Sequence, residues 1–155
     1  MEELKIMQPT IKDQSKINNL AKQVHKLHVN WNPDLFLDVE EVISEERLNK
    51  LLKTDSIYVA KINNKIVGYI IIDIKEKENE VIRYRKLLSI DTLCIDEDFR
   101  GQGIGTKMLE FAKNIAKEQN CTDMHLTVNP NNEKAIKVYE KFGMKVHNLS
   151  YMMKL

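Results

Sequence analysis

The amino-acid sequence predicts a mixed α/β layer fold, and three observations predict it. Two β-rich runs flank an asparagine turn in "SIYVAKINNKIVGYIIIDIKEK" (56–77). A helical apolar stripe follows directly on three glycines in "RGQGIGTKMLEFAKNIAK" (100–117). Strand and helix patterns then alternate as far as residue 155.

In chain order, "LKIMQPTI" (4–11) reads as a short first strand. After Asp13, the residues Ile17, Leu20, Ala21, Val24, Leu27 and His28 recur at helical spacing and give an amphipathic helix to about residue 29. A loop punctuated by Pro33 follows (30–36). A second helix is expected over "SEERLNKLLKT" (44–54), with Ser44 at its N-cap and Arg47 where a capping box would carry Glu. In the 56–77 hairpin, Asn63 and Asn64 tolerate the positive φ of a tight turn. "LLSIDTLCI" (87–95) alternates as a third strand of this group.

After the glycines, Ile104, Met108, Phe111, Ala112, Ile115 and Ala116 share one helix face. "DMHLTV" (123–128) is a strand, and "NNEKAIKVYEKFG" (131–143) is a helix ending at Gly143 as C′. "MKVHNLSYMMKL" (144–155) is expected to add one or two final strands.

No repeat, low-complexity tract or Pro/Gly/Ser linker divides the 155 residues, so one domain is expected over 1–155. Twenty-four basic against 23 acidic residues leave a formal charge of +1, without the global basic field of a nucleic-acid-binding protein. The start, "MEELKIMQPT", lacks the charged n-region of a signal peptide, and the apolar run around Ile70–Ile72 is too short to span a bilayer. A soluble, cytoplasmic protein with no membrane partner is expected. Cys94 and Cys121 have no CxxC spacing and read as reduced thiols, Cys94 as a structural one inside an apolar run.

Gly101, Gly103 and Gly105 stand between a strand and a helix, with Arg100 before them and Thr106 after. The first amides of a helix have no intrahelical acceptor, and the helix dipole adds positive potential there, so this junction suits a phosphate. The spacing G-Q-G-I-G is not the GxGxxG of dinucleotide sites, and "GTK" is not the end of a GxxxxGK[ST] P-loop. A nucleotide-binding switch is therefore disfavoured.

The pattern R-x-x-G-x-G does fit, and with it the sequence resembles the GNAT superfamily of acyl-CoA N-acetyltransferases. "IDTLCIDEDFRGQGIG" (90–105) is similar to that family's cofactor strand and pyrophosphate loop. "NEKAIKVYEKFGMK" (132–145) is similar to its second signature, N-x-x-A-x-x-x-Y-x-K-x-G. The resemblance is sharp over residues 87–145. It implies a mixed, mostly antiparallel sheet flanked by about four helices, acetyl-CoA as donor substrate, and no metal.

Carried over residue by residue, the resemblance puts pantetheine contacts on the backbone of Leu93, Cys94 and Ile95. It puts pyrophosphate contacts on Gly101, Gln102, Gly103, Ile104, Gly105 and Thr106, with Arg100 framing the turn. Asn132 matches an asparagine that commonly contacts the donor, and it would also serve as a helix cap. Tyr139 matches the tyrosine that protonates the departing thiolate; the alternative is a core aromatic beside Ile136, Val138 and Phe142.

The incoming amine must lose its proton, because an ammonium of pKa about 10.4 is not a nucleophile. Thr127 stands where bacterial ribosomal-protein acetyltransferases place a glutamate and cannot do that work. Asp91 matches a glutamate of diamine acetyltransferases, and strand alternation would put it on the face of Leu93 and Ile95. Its alternative is a solvated strand-edge carboxylate.

The loop "HVNWNPDLF" (28–36) is the expected acceptor wall, with Trp31 and Phe36 clamping an apolar part and Asp34, Glu40 and Glu41 attracting a cation. The histidines 25, 28, 125 and 147 complete no recognisable metal-ligand set. These readings point to acetyl transfer onto a small, polyamine-like amine. A peptide or protein acetyltransferase and a non-catalytic acyl-CoA-binding module are the alternatives. A homodimer built through a C-terminal strand is a further implication of the resemblance, and the sequence itself decides no oligomeric state.

Overall fold

A computed structural model describes residues 2–155. The chain runs β1 (Leu4–Met7), α1 (Gln14–Trp31), α2 (Glu45–Lys53), β2 (Ile57–Ile62), β3 (Lys65–Lys77), β4 (Arg85–Ile95), α3 (Ile104–Glu118), β5 (Asp123–Leu126) and α4 (Glu133–Phe142). The strands form one sheet in the order β1-β2-β3-β4-β5. The first three pairings are antiparallel and β4–β5 is parallel, the mixed, mostly antiparallel sheet with four helices that the sequence predicts.

Local chemistry explains the element ends. Asn63 and Asn64 take φ of 48° and 62°, the two consecutive positive values of a tight hairpin turn between β2 and β3. Ser44 caps α2 without the help of a capping box: its Oγ accepts from the Arg47 amide at 3.1 Å. Gly143, at φ 104°, closes α4, and the Met144 amide reaches back to the Tyr139 carbonyl at 3.0 Å.

The sheet is covered on both faces. Ile17, Leu20 and Ala21 of α1 and Leu48 of α2 pack with Ile57, Val59, Ile66, Tyr69, Ile71 and Cys94. On the other face, Ile104, Met108, Leu109, Ala112 and Ala116 of α3 pack with Ala60, Val67, Ile70, Ile72, Leu88 and Ile90. β3 is central and buried from Ile66 to Ile72, which accounts for its unbroken apolar run. No helix among the described residues is long and apolar enough to cross a membrane.

The expected final strands do not form. Residues 144–155 take no regular secondary structure and pair with no strand, and Val146, Leu149, Tyr151, Met152 and Met153 stand at least 72 % exposed. The side chains are those of a strand, but strand formation needs a neighbouring ladder, which local composition does not supply.

Candidate functional site

β4 and β5 are joined for four residues only, Leu87–Ile90 against Asp123–Leu126. At that point β4 carries a bulge: Ile72 pairs with Ile90 and Ile71 with Thr92, so Asp91 is the extra residue. Beyond it, β4 continues to Ile95 while β5 has ended, and the two chains part. Along 92–95 the backbone groups turned away from β3 therefore have no strand partner, an edge that an extended ligand can use.

The same strand leads straight into the glycine turn. After a 3-10 turn at Glu97–Phe99 the chain passes Arg100 and reaches α3 through Gly101 and Gly103, at φ 77° and 78°. A Cβ on either would meet no atom within 4 Å, so left-handed backbone and not crowding calls for glycine here. Gly103 caps α3 with no side-chain hydrogen bond. The Lys107 amide is the first to find a helical acceptor, Gly103 O at 3.1 Å, and this leaves the amides of Ile104, Gly105 and Thr106 free for an anion. Gln102 and Thr106 are exposed, and Ile104 is buried and anchors the turn. Arg100 is exposed and donates from Nε to Ile95 O at 3.0 Å, bracing the turn against the end of β4.

α4 stands across the opening. Asn132 is its N-cap, and Oδ1 accepts from the Ala135 amide at 3.3 Å. Tyr139 lies in the same apolar cluster as Leu93, Ile95 and Phe142. Burial raises its phenol above the ordinary range, and no hydrogen bond to its hydroxyl is formed among the described residues. Cys94 turns to the other face, where Sγ donates to Leu20 O at 3.3 Å and burial pushes the thiol up to about 12. Its side chain is structural, and its carbonyl lies toward Gly68 of β3. Asp91 is exposed. The bulge breaks the strict alternation that would have put it on the face of Leu93 and Ile95.

The expected acceptor wall is a packed aromatic group. His28 lies 5.9 Å from the Trp31 ring and 5.4 Å from Phe36, and His25 meets Phe36 edge-on at 6.1 Å. Burial, then the neighbouring His25, lowers the His28 pKa. Of the acidic groups expected to draw a cation, Asp34 already pairs with Lys154 at 2.9 Å and Glu40 with Lys22.

Sequence reasoning missed three residues around this site. Gly68 of β3 carries only the weak signal of a glycine inside a strand. Gln23 and Asp96 become visible only once α1 is laid beside the turn.

The description "Acetyltransferase (GNAT) family" belongs to the family model that matches residues 21–144. An uncharacterised N-acetyltransferase of Methanocaldococcus jannaschii is 33 % identical over 91 residues, covering 59 % of this chain and 39 % of that protein. The chain thus spans about two fifths of that relative's length. N-alpha-acetyltransferase 50 of Danio rerio is 32 % identical over 131 residues, with 81 % of this chain and 68 % of the relative covered. The spermine/spermidine N(1)-acetyltransferase of Bacillus subtilis is 35 % identical over 57 residues, 36 % of this chain and 38 % of that one. The crystal structure of a mutant Bacillus halodurans protein superposes with a TM-score of 0.91 at 26 % identity, over 97 % of this chain and 99 % of that one.

Proposed function

The chain belongs to the acetyltransferase (GNAT) family, and from that premise we propose that it is a single-domain enzyme that moves an acetyl group from acetyl-CoA directly to a primary amine. The observation that carries this reading is the continuity of two features. The open edge of β4 at 92–95 runs without interruption into a left-handed turn and the free amides of α3. An extended pantetheine along Leu93, Cys94 and Ile95 would end with its pyrophosphate on Gly101–Thr106, beside Arg100 and within reach of Asn132.

In the transfer the amine nitrogen bonds to the thioester carbon and the C–S bond breaks. The Ile95 amide stabilises the developing oxyanion. Tyr139 supplies a proton to the departing thiolate, and its raised pKa keeps the phenol protonated throughout the working pH range. Asp91, exposed beside the cleft, takes the ammonium proton directly or through water. Holding both reactants in one cleft makes the step effectively intramolecular.

The acceptor enters along the Trp31–His28–Phe36 group. Asp91 and the Bacillus subtilis relative favour a small polyamine-like amine. A peptide N-terminus is the second reading, favoured by the Danio rerio relative, which aligns over most of this chain. The unpaired thiols Cys94 and Cys121 support a cytoplasmic location, and the exposed apolar residues of 144–155 support a homodimer.

Release of CoA thiol from acetyl-CoA, measured against polyamines, aminoglycosides, amino acids and short peptides, tests the reading. Turnover with a polyamine supports the small-amine assignment, and turnover with peptides alone moves it to the second reading. CoA binding without turnover on any amine would leave a non-catalytic acyl-CoA-binding module.

A further inference from the structure

α1 meets the glycine turn through the Gln23 amide, with Lys16 beside it on Asp96. Gln23 Oε1 accepts from the Glu97 amide at 3.0 Å and from Arg100 Nη2 at 3.5 Å, while its Nε2 donates to Asp96 Oδ1 at 3.5 Å. Asp96 is itself buried, 4 % exposed, and its carboxylate also accepts from the Asp98 amide at 3.2 Å and faces Lys16 of α1 at 3.6 Å. The same helix takes the Cys94 thiol on Leu20 O.

The position asks for both halves of an amide. The carboxylate of Asp96 needs a donor, and the Glu97 amide and Arg100 guanidinium need an acceptor. A leucine would offer neither, and a lysine would offer no acceptor. Eight residues further along α1, about 12 Å of helix, stands Trp31 in contact with His28. One rigid element thus touches the turn at one end and the aromatic group at the other.

We propose that Gln23 is a positioning residue that couples the two halves of the site: it fixes the Glu97–Arg100 turn, and through α1 it carries occupancy of that turn to the Trp31–His28–Phe36 group. This inference rests on the reading of the glycine turn as a CoA site. A bound pyrophosphate that draws Arg100 toward itself alters the bonds at Gln23, and α1 responds as a unit. Donor binding then adjusts the wall that meets the acceptor.

Trp31 is the one tryptophan in the chain, so its fluorescence reports on that wall without labelling. The experiment titrates CoA into the full chain while following Trp31 emission, with calorimetry giving Kd independently. In the unmodified protein, CoA binds and changes the emission. In Gln23→Met the Kd rises about tenfold, the loss expected for hydrogen bonds to charged groups, and the Trp31 response at saturation disappears. Gln23→Asn keeps the amide but withdraws it by one methylene, and it gives the same two losses if the methionine variant does not fold. Gln23→Glu keeps the acceptor oxygen but sets a second carboxylate against buried Asp96 in place of the donor, and Kd rises at least as far as in Gln23→Met.

An unchanged Kd together with an unchanged Trp31 response in folded Gln23→Met or Gln23→Asn overturns the proposal. A tenfold weaker Kd with the full Trp31 response overturns the coupling. Absence of CoA binding in the unmodified protein overturns the CoA reading itself, a distinct failure, and this inference with it.

Discussion

Gly68 lies against the Cys94 carbonyl so closely that a Cβ placed on it would stand 2.8 Å from that oxygen and 2.9 Å from Cδ1 of Ile95. One of the two is backbone and cannot swing aside. Gly68 also pairs with Ile95, the residue whose amide is assigned to the oxyanion. A glycine in β3 therefore sets how near β4 lies at its functional end.

Gly68→Ala is expected to cost about 2 kcal/mol, in the range for overpacking a filled core, and to lower Tm by about 6 °C. Because β4 must shift to accept the methyl group, the KM for acetyl-CoA rises as well. Thermal unfolding together with steady-state kinetics checks both. A variant with wild-type Tm would show that β3 and β4 tolerate a wider spacing than the geometry allows.

Tyr139→Phe keeps the ring and its packing with Phe142 and Ile95 while deleting the hydroxyl proposed to protonate the thiolate. A fall of about a hundredfold in kcat is expected, with little change in Tm or in the KM for acetyl-CoA. Full turnover in the folded variant would remove Tyr139 from the chemistry and leave it a core aromatic.

His28 gives stability a pH dependence of defined sign. Its folded pKa lies below the usual 6.5, first because it is partly buried and then because His25 is near. The unfolded chain therefore binds the proton more readily, and the stabilisation is complete above pH 6.5 and lost as pH falls through the lower folded value. Carboxylates held low, such as Asp96, lose their contribution at lower pH, below about 4, and do not overlap this window. Tm should fall between pH 7 and pH 5.5, and His28→Gln should flatten that slope. An equal slope in the variant would assign it elsewhere.

Deleting residues 145–155 removes six large apolar side chains that are each mostly exposed, Val146, Leu149, Tyr151, Met152, Met153 and Leu155. If they cover a second copy, the full chain sediments as a dimer and the shortened chain as a monomer, with acetyl-CoA binding retained. Sedimentation velocity at micromolar concentration decides it, and a monomeric full chain ends the homodimer reading.

Much of this architecture is readable from local pattern. The stripe from Ile104 to Ala116 and the Asn63–Asn64 turn are local matters, and both appear where spacing puts them. Gly101 and Gly103 are legible because φ near +77° calls for glycine whatever lies around it. What escapes is non-local. The bulge at Asp91 depends on how β4 registers against β3, and residue-by-residue alternation cannot foresee one extra residue. Gln23 is one polar residue among several on α1, and its bonds to residues 96, 97 and 100 exist only because the fold crosses more than 70 positions of sequence. Residues 144–155 look like strands because strand propensity describes side chains and not partners.

The short β4–β5 pairing has a mechanical meaning. β5 is fastened at its start, where Thr122 exchanges hydrogen bonds with Lys86 and Arg85 pairs with Asp123, and it is released beyond Leu126. α4 then folds back along the opening and packs by Tyr139 and Phe142, with Lys113 of α3 over the Phe142 ring. The fastening is thus confined to one end of the β4–β5 seam, and beyond Ile90 of β4 and Leu126 of β5 no ladder hydrogen bond holds the two chains together.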